Sequence, residues 1–252
     1  MNKKLFVLFG MSFLLVACLN NMEKKTDKHT LAIQLILDSV ALTSIRNEVV
    51  SVVNEIIRQE LALPQTEKFD AFFSPKKINR LSLYYVNDAD EKGDDLLFFA
   101  LENSVKESAV DVSITSKVDF FKGPFGIDDE LVIMIDDSKK ELLGLNQKIK
   151  NVAHAINQQF KEQYDHDLYD ISKSEAHDYV PHVGLGRIRS NSIKEHMKDQ
   201  ALFDETFKRI QQRIKEALCD KVKKYAEINQ KNSVEEISVL DLKTQKYIKR
   251  LK

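Results

Sequence analysis

The chain has 252 residues, 43% of them hydrophobic and 31% charged, enough apolar residues for a sizeable core and too many for a disordered chain. The formal net charge is −1, which excludes a protein that binds nucleic acid through overall basicity. Two cysteines, Cys18 and Cys219, leave no zinc-finger or CxxC spacing and no disulfide framework.

Elements follow in chain order. Residues 1–17 carry Lys3 and Lys4, then an apolar run from Leu5 to Val16. That run is short for a membrane span and has the form of a signal-peptide core. It ends in "LVAC", which resembles a bacterial lipobox with Cys18 as the lipidated first residue of the mature chain. Loss of this leader would remove two positive charges. Leu19, in place of Asp, implies by resemblance to lipoprotein sorting an outer-membrane or surface destination. Residues 18–28 read as a polar tether. The expected location is therefore the bacterial cell envelope, with the bulk of the chain outside the cytoplasm and held through a lipid anchor.

"HTLAIQLIL" (29–37) alternates as a strand. Leu42, Ile45, Val49, Val52, Val53, Ile56, Ile57 and Leu61 recur at three and four, which predicts a helix ending before Pro64. After a loop, "INRLSLYYV" (78–86) reads as a strand, and "DADEKGDD" as a turn. "LLFFALENS" (96–104) and "AVDVSITSKVDFF" (109–121) read as strands, followed by a turn at "KGPFG". The order then returns. "ELVIMID" (130–136) is a strand, and Leu145, Ile149, Val152, Ala153, Ile156 and Phe160 mark a second helix. A polar loop leads to the strand "HVGLGRI" (182–188). About 50 residues separate Leu31 from Arg80, and Leu131 from His182, so the repeat is one of pattern. Residues 193–226 are helical in pattern, and "VEEISVLDL" and "QKYIKRLK" close the chain as a strand pair. Residues 208–252 hold thirteen Lys or Arg against six Asp or Glu. That basic end could face phosphate groups or a membrane, or could be a solvated helix face.

Duplicated strand-helix-strand lobes, with "RLSLYYV" and "YVPHVGLGRI" at the second strand of each, resemble the two-histidine (2H) phosphoesterase superfamily. That group includes the 2′-5′ RNA ligases and RNA cyclic phosphodiesterases. The resemblance covers roughly residues 29–252. It implies an α+β fold of two similar lobes, roughly 29–125 and 126–252 and mixed by the closing strands, related by a pseudo-two-fold around a central cleft. The family motif is His, apolar, Ser or Thr, apolar, once per lobe. Positions i and i+2 of a strand share a face, so each pair would project into the cleft. One imidazole would take a proton and the other give one, with hydroxyls holding the phosphate and no metal or other cofactor required.

This chain departs from that motif. Arg80 stands at the first histidine position, with Ser82 kept. His182 stands at the second, with Gly184 in place of the hydroxyl. A guanidinium does not shuttle protons near neutral pH, but it can grip a phosphate in bidentate fashion. The expected site is Arg80 as phosphate ligand with Ser82 and His182 in the catalytic positions. Strand parity puts Leu81 and Val183 in the core and turns Arg187 away from the cleft.

Other candidates are weaker. His29-Thr30 is out of the motif frame. Asp165, His166 and Asp167 with His177 fit no metal-ligand spacing, and Gly126, Asp128, Asp129 and Glu130 lack EF-hand spacing. "GLGRI" is not a dinucleotide fingerprint, and no nucleophile elbow is present. The reading is a monomeric, membrane-anchored lipoprotein whose eroded site binds a phosphate-bearing small molecule or an RNA end. The alternatives are an active 2′,3′-cyclic phosphodiesterase or 2′-5′ RNA ligase, and a structural or partner-binding envelope lipoprotein.

Overall fold

Hydrophobic alternation produces an antiparallel sheet, and three-and-four spacing produces the helices that cover it. The computed structural model describes residues 28–64, 72–106, 108, 110–122, 129–228 and 233–252. The leader, Cys18, nearly all of the tether and the turn expected at 123–126 lie outside them. In chain order the elements are β1 (Lys28–Asp38), α1 (Val40–Glu60), β2 (Phe73–Pro75), β3 (Arg80–Asp90), α2 (Asp94–Val105), β4 (Ser113–Lys122), β5 (Asp129–Asp136), α3 (Glu141–Tyr164), α4 (Ile171–Ser174), β6 (His182–Ile188), α5 (Ser190–Glu195), α6 (Phe203–Ile228), β7 (Ser233–Asp241) and β8 (Lys246–Arg250).

The strands run in the order β4-β5-β6-β3-β1-β7-β8, with β2 paired to β6. With β8 set aside, this order is symmetric about the β3–β6 junction. β1, α1 and β3 on one side correspond to β5, α3 and β6 on the other, which is the pseudo-two-fold of an α+β fold with two strand-helix-strand halves. The halves meet edge to edge in one hydrogen-bonded path. The seam between β3 and β6 is narrow, with Leu81 opposite Val183 as its single registered pair. Both residues are fully buried.

Each helix forms for a local reason. Ser39 caps α1, its Oγ accepting from the Leu42 amide at 3.1 Å. Leu42, Ile45, Val49, Val53 and Ile57 then line the buried face. In α3 the buried positions include Leu142, Leu145, Ile149, Ala153 and Phe160. The Asp137 carboxylate accepts from the Leu142 and Leu143 amides, both at 2.9 Å, at its start.

Two sequence expectations change. "LLFFALENS" is not a strand but the body of α2. Leu97, Phe98, Leu101 and Val105 are buried while Phe99 is 70% exposed, a helical period hidden inside a short apolar run. Asp94 and Asp95 in the first turn favour the helix electrostatically. The helical region after β6 is also not continuous: α5 ends at Glu195, and α6 begins at Phe203 after a 3₁₀ turn.

Many cations of the basic end pair with acidic side chains of other elements. Glu60 takes Arg209 at 2.6 Å and Arg213 at 2.7 Å, Lys221 pairs with Glu48, Lys215 with Asp119, and Lys249 with Glu102. The first four contacts tie α6 to α1 and β4, and Lys249 ties β8 to α2, which accounts for much of the charge as packing contacts. His29 is equally structural: its Nε2 lies 3.2 Å from Asp94 Oδ1, a bond that raises the imidazole's proton affinity.

Candidate functional site

The seam positions the site. An antiparallel register through Leu81 and Val183 sets Ser82 beside His182 and Arg80 beside Gly184, on the sheet face opposite the Leu81 core. The three expected residues therefore stand on one face of the seam, and of the three Arg80 lines the adjoining cavity while Ser82 and His182 are not among its lining residues.

A second device shapes the face. Ile33 pairs with Tyr84 and Gln34 with Ser82, so Leu83 is an extra residue in β3. Leu131 pairs with Gly186 and Val132 with Gly184, so Leu185 is an extra residue in β6. Each is a β-bulge three residues beyond the motif start, and each reverses strand parity. β3 thus presents Arg80, Ser82 and Tyr85 to the cleft, and β6 presents His182, Gly184 and Arg187. The expectation that Arg187 points away is corrected by this bulge. Arg187 lines the cleft cavity with Arg80.

That cavity has a volume of about 320 Å³ and is lined by Ser74, Lys76, Lys77, Arg80, Arg187 and Gln245 among others. Its wall is held from behind. Arg46, buried in α1, donates to the Lys77 carbonyl at 3.1 Å and to Asn79 Oδ1. The Lys76 amide donates to the Leu185 carbonyl at 3.0 Å, fixing the 76–79 segment to the bulge of β6.

The remaining polar groups are set as follows. His182 Nδ1 lies 2.7 Å from the Val180 carbonyl. A carbonyl only accepts, so Nδ1 carries the proton and Nε2 keeps its lone pair in the neutral ring. Burial pushes the imidazole below its ordinary value, so the ring is neutral at pH 7. The ring meets Phe121 edge-on at 4.6 Å between centroids. Ser82 Oγ accepts from Gln34 Nε2 at 3.0 Å and from the Tyr85 hydroxyl at 2.9 Å. With both lone pairs engaged, the serine proton is directed to a further acceptor.

Glu130, on β5 opposite Arg187 and Phe121, completes the group. Its Oε1 lies 3.3 Å from Lys76 Nζ, and its Oε2 lies 3.9 Å from Arg187 Nε. Arg187 Nε is buried and makes no hydrogen bond among the described residues. Burial lowers the Lys76 ammonium and the neighbouring Glu130 charge opposes that, while Arg187 and Arg80 add to the lowering. A Cβ placed on Gly184 would lie 2.1 Å from Glu130 Oε1. The carboxylate therefore occupies the space that a hydroxyl side chain at 184 would take.

Lys76, Tyr85, Glu130 and Arg187 escaped sequence reasoning. Lys76 sits in the loop "SPKK", and the other three depend on bulges or on cross-strand register. The acidic loop has a structural role: His166 Nε2 lies 3.3 Å from Asp90, and Asp167 pairs with Lys161 at 3.4 Å and accepts from Asn157. Among the described residues no three His, Cys, Asp or Glu side chains converge as a metal centre. Cys18 lies outside the described residues.

The mirrored strand order about the seam is an α+β fold of two similar strand-helix-strand halves around a cleft, as expected from the sequence. Among solved structures the chain is similar to Usb1 of Kluyveromyces marxianus, with a TM-score of 0.57 and 11% identity over 88% of this chain and 97% of that one. It is similar to the same protein solved with uridine monophosphate, with a TM-score of 0.57 and 10% identity over 84% and 94%. At these identities the likeness is one of fold. No protein-family model matches the sequence, and no curated protein matches it significantly.

Proposed function

We propose that the domain binds a phosphate-bearing ligand, a nucleotide monophosphate or an RNA end, at the β3–β6 seam, and that the two-imidazole route of turnover is lost. The observation that carries this is the convergence of Lys76, Arg80 and Arg187 on one cavity, with Arg80 at the position of the first imidazole. Cations with directed N–H groups suit phosphate oxygens. Ser82 adds a hydroxyl donor and His182 a neutral ring. The fold relative solved with uridine monophosphate supports a ligand of this chemistry. A single imidazole cannot act as acid and base at once, and each such group contributes roughly 10²–10⁴-fold.

The purified protein is expected to bind uridine monophosphate and to leave uridine 2′,3′-cyclic phosphate unhydrolysed. Calorimetry and a chromatographic turnover assay read the two. Robust hydrolysis that vanishes in His182→Ala would replace this reading with the active phosphodiesterase. Failure to bind uridine monophosphate would leave the reading of a structural or partner-binding envelope lipoprotein.

The lipid anchor is a separate proposal, supported by "LVAC" after the apolar run. Cys18→Ser is expected to move the protein out of the membrane fraction or to leave an unprocessed precursor. A wild-type mature mass without acyl chains overturns it.

A further inference from the structure

The carboxylate of Glu130 lies among groups whose arrangement suits an external anion. Lys76 approaches from the segment after β2, Arg80 and Tyr85 from β3, and Arg187 and His182 from β6; Lys76, Tyr85 and His182 each feel the Glu130 charge, and Lys76 and Tyr85 also feel Arg80 and Arg187. Its grip is incomplete. The Lys76 contact is 3.3 Å, and Arg187 Nε at 3.9 Å is beyond hydrogen-bond distance and stays unpaired among the described residues. The carboxylate reaches this place because residue 184 is glycine: any Cβ there would fall 2.1 Å from Oε1.

We propose that Glu130 is an internal anion that occupies the phosphate subsite, and that a ligand phosphate binds by displacing it from Lys76 and Arg187. The proposal rests on the phosphate-binding reading of the same cleft. It makes Glu130 the residue that sets the affinity of the site and its preference by charge. A displaced carboxylate stays tethered to β5 a few ångströms away and repels a dianion more than a monoanion. Gly184 is the second part of the device, because it supplies the space in which the carboxylate rests.

Two variants test this by different means. Glu130→Gln removes the charge and keeps the shape. Gly184→Ala keeps the charge and forces the carboxylate aside, since the colliding atom is the free end of a flexible side chain. Inorganic phosphate is titrated into wild type and both variants by calorimetry at pH 6.5. Each variant is expected to bind phosphate about tenfold or more tightly than wild type. Unchanged or weaker binding by Glu130→Gln, with wild type binding, overturns the displacement mechanism alone and makes Glu130 part of the binding wall. No binding by any of the three overturns the phosphate site itself, and this proposal with it. Circular dichroism checks folding, and if one variant does not fold the other decides.

Discussion

Replacing Arg80 and Arg187 together by alanine is expected to weaken uridine monophosphate binding by at least about a hundredfold, with little change in thermal stability. Both side chains line the cleft cavity, and they come from opposite sides of the seam. Charge-assisted hydrogen bonds are worth roughly 1.5–3 kcal/mol each, so the loss of two corresponds to two orders of magnitude or more. Arg187 is partly exposed and meets Glu130 only at 3.9 Å, so the fold depends little on it. Each single variant should lose less than the pair, and His182→Ala less than either, because a neutral imidazole adds no charge to the grip. Raising the salt concentration should weaken wild type more than the double variant. Equal affinity in wild type and the double variant, measured by calorimetry, removes the cleft as the phosphate site.

The largest stability effect is expected at a residue far from the ligand. Asn157, in the middle of α3 and 3% exposed, has its side-chain oxygen bonded to two backbone amides, Leu168 at 2.7 Å and Tyr169 at 3.2 Å. Its side-chain nitrogen donates to Asp167 at 3.1 Å. The segment it holds is bonded in turn to the end of β3, through Asp90 to Leu168 and Asp170 to Asn87, both at 2.8 Å. Asn157→Ala leaves two buried N–H groups without their acceptor, at about 1–3 kcal/mol for each group so stranded. Allowing for partial relaxation, urea unfolding should show a loss of about 2–4 kcal/mol, or several degrees in Tm for a domain of this size. A loss below about 1 kcal/mol shows that water or a shifted loop replaces the contact.

Most of the architecture was legible because it is periodic. The alternation of 29–37, 78–86 and 130–136 and the three-and-four spacing of α1 and α3 recur in the same order, and the structure joins them as two halves about a seam. "LLFFALENS" reads as a strand because six adjacent apolar residues fit either period, and the first-turn acids Asp94 and Asp95 read as part of a turn. In the cleft, Arg80, Ser82 and His182 were picked out by their resemblance to the family motif, and strand parity added only that Arg80 and Ser82 share a face. Arg187 was not, because a bulge at Leu185 adds one residue to the count and carries no marker in the sequence beyond two glycines. Glu130 was out of reach for another reason. Its place depends on the pairing of β5 with β6, a relation between segments that no local pattern encodes.

The narrow seam has a mechanical consequence. β1 is joined to β3, and β5 to β6, by runs of registered pairs, whereas β3 and β6 share only Leu81 and Val183. A sheet resists bending along lines dense in hydrogen bonds and yields along sparse ones, so compliance concentrates at this line. Arg80 and Ser82 stand on one bank of it, and His182 and Arg187 on the other. If the proposed site holds a phosphate, the ligand clasps the sheet across this line and couples one half of the molecule to the other.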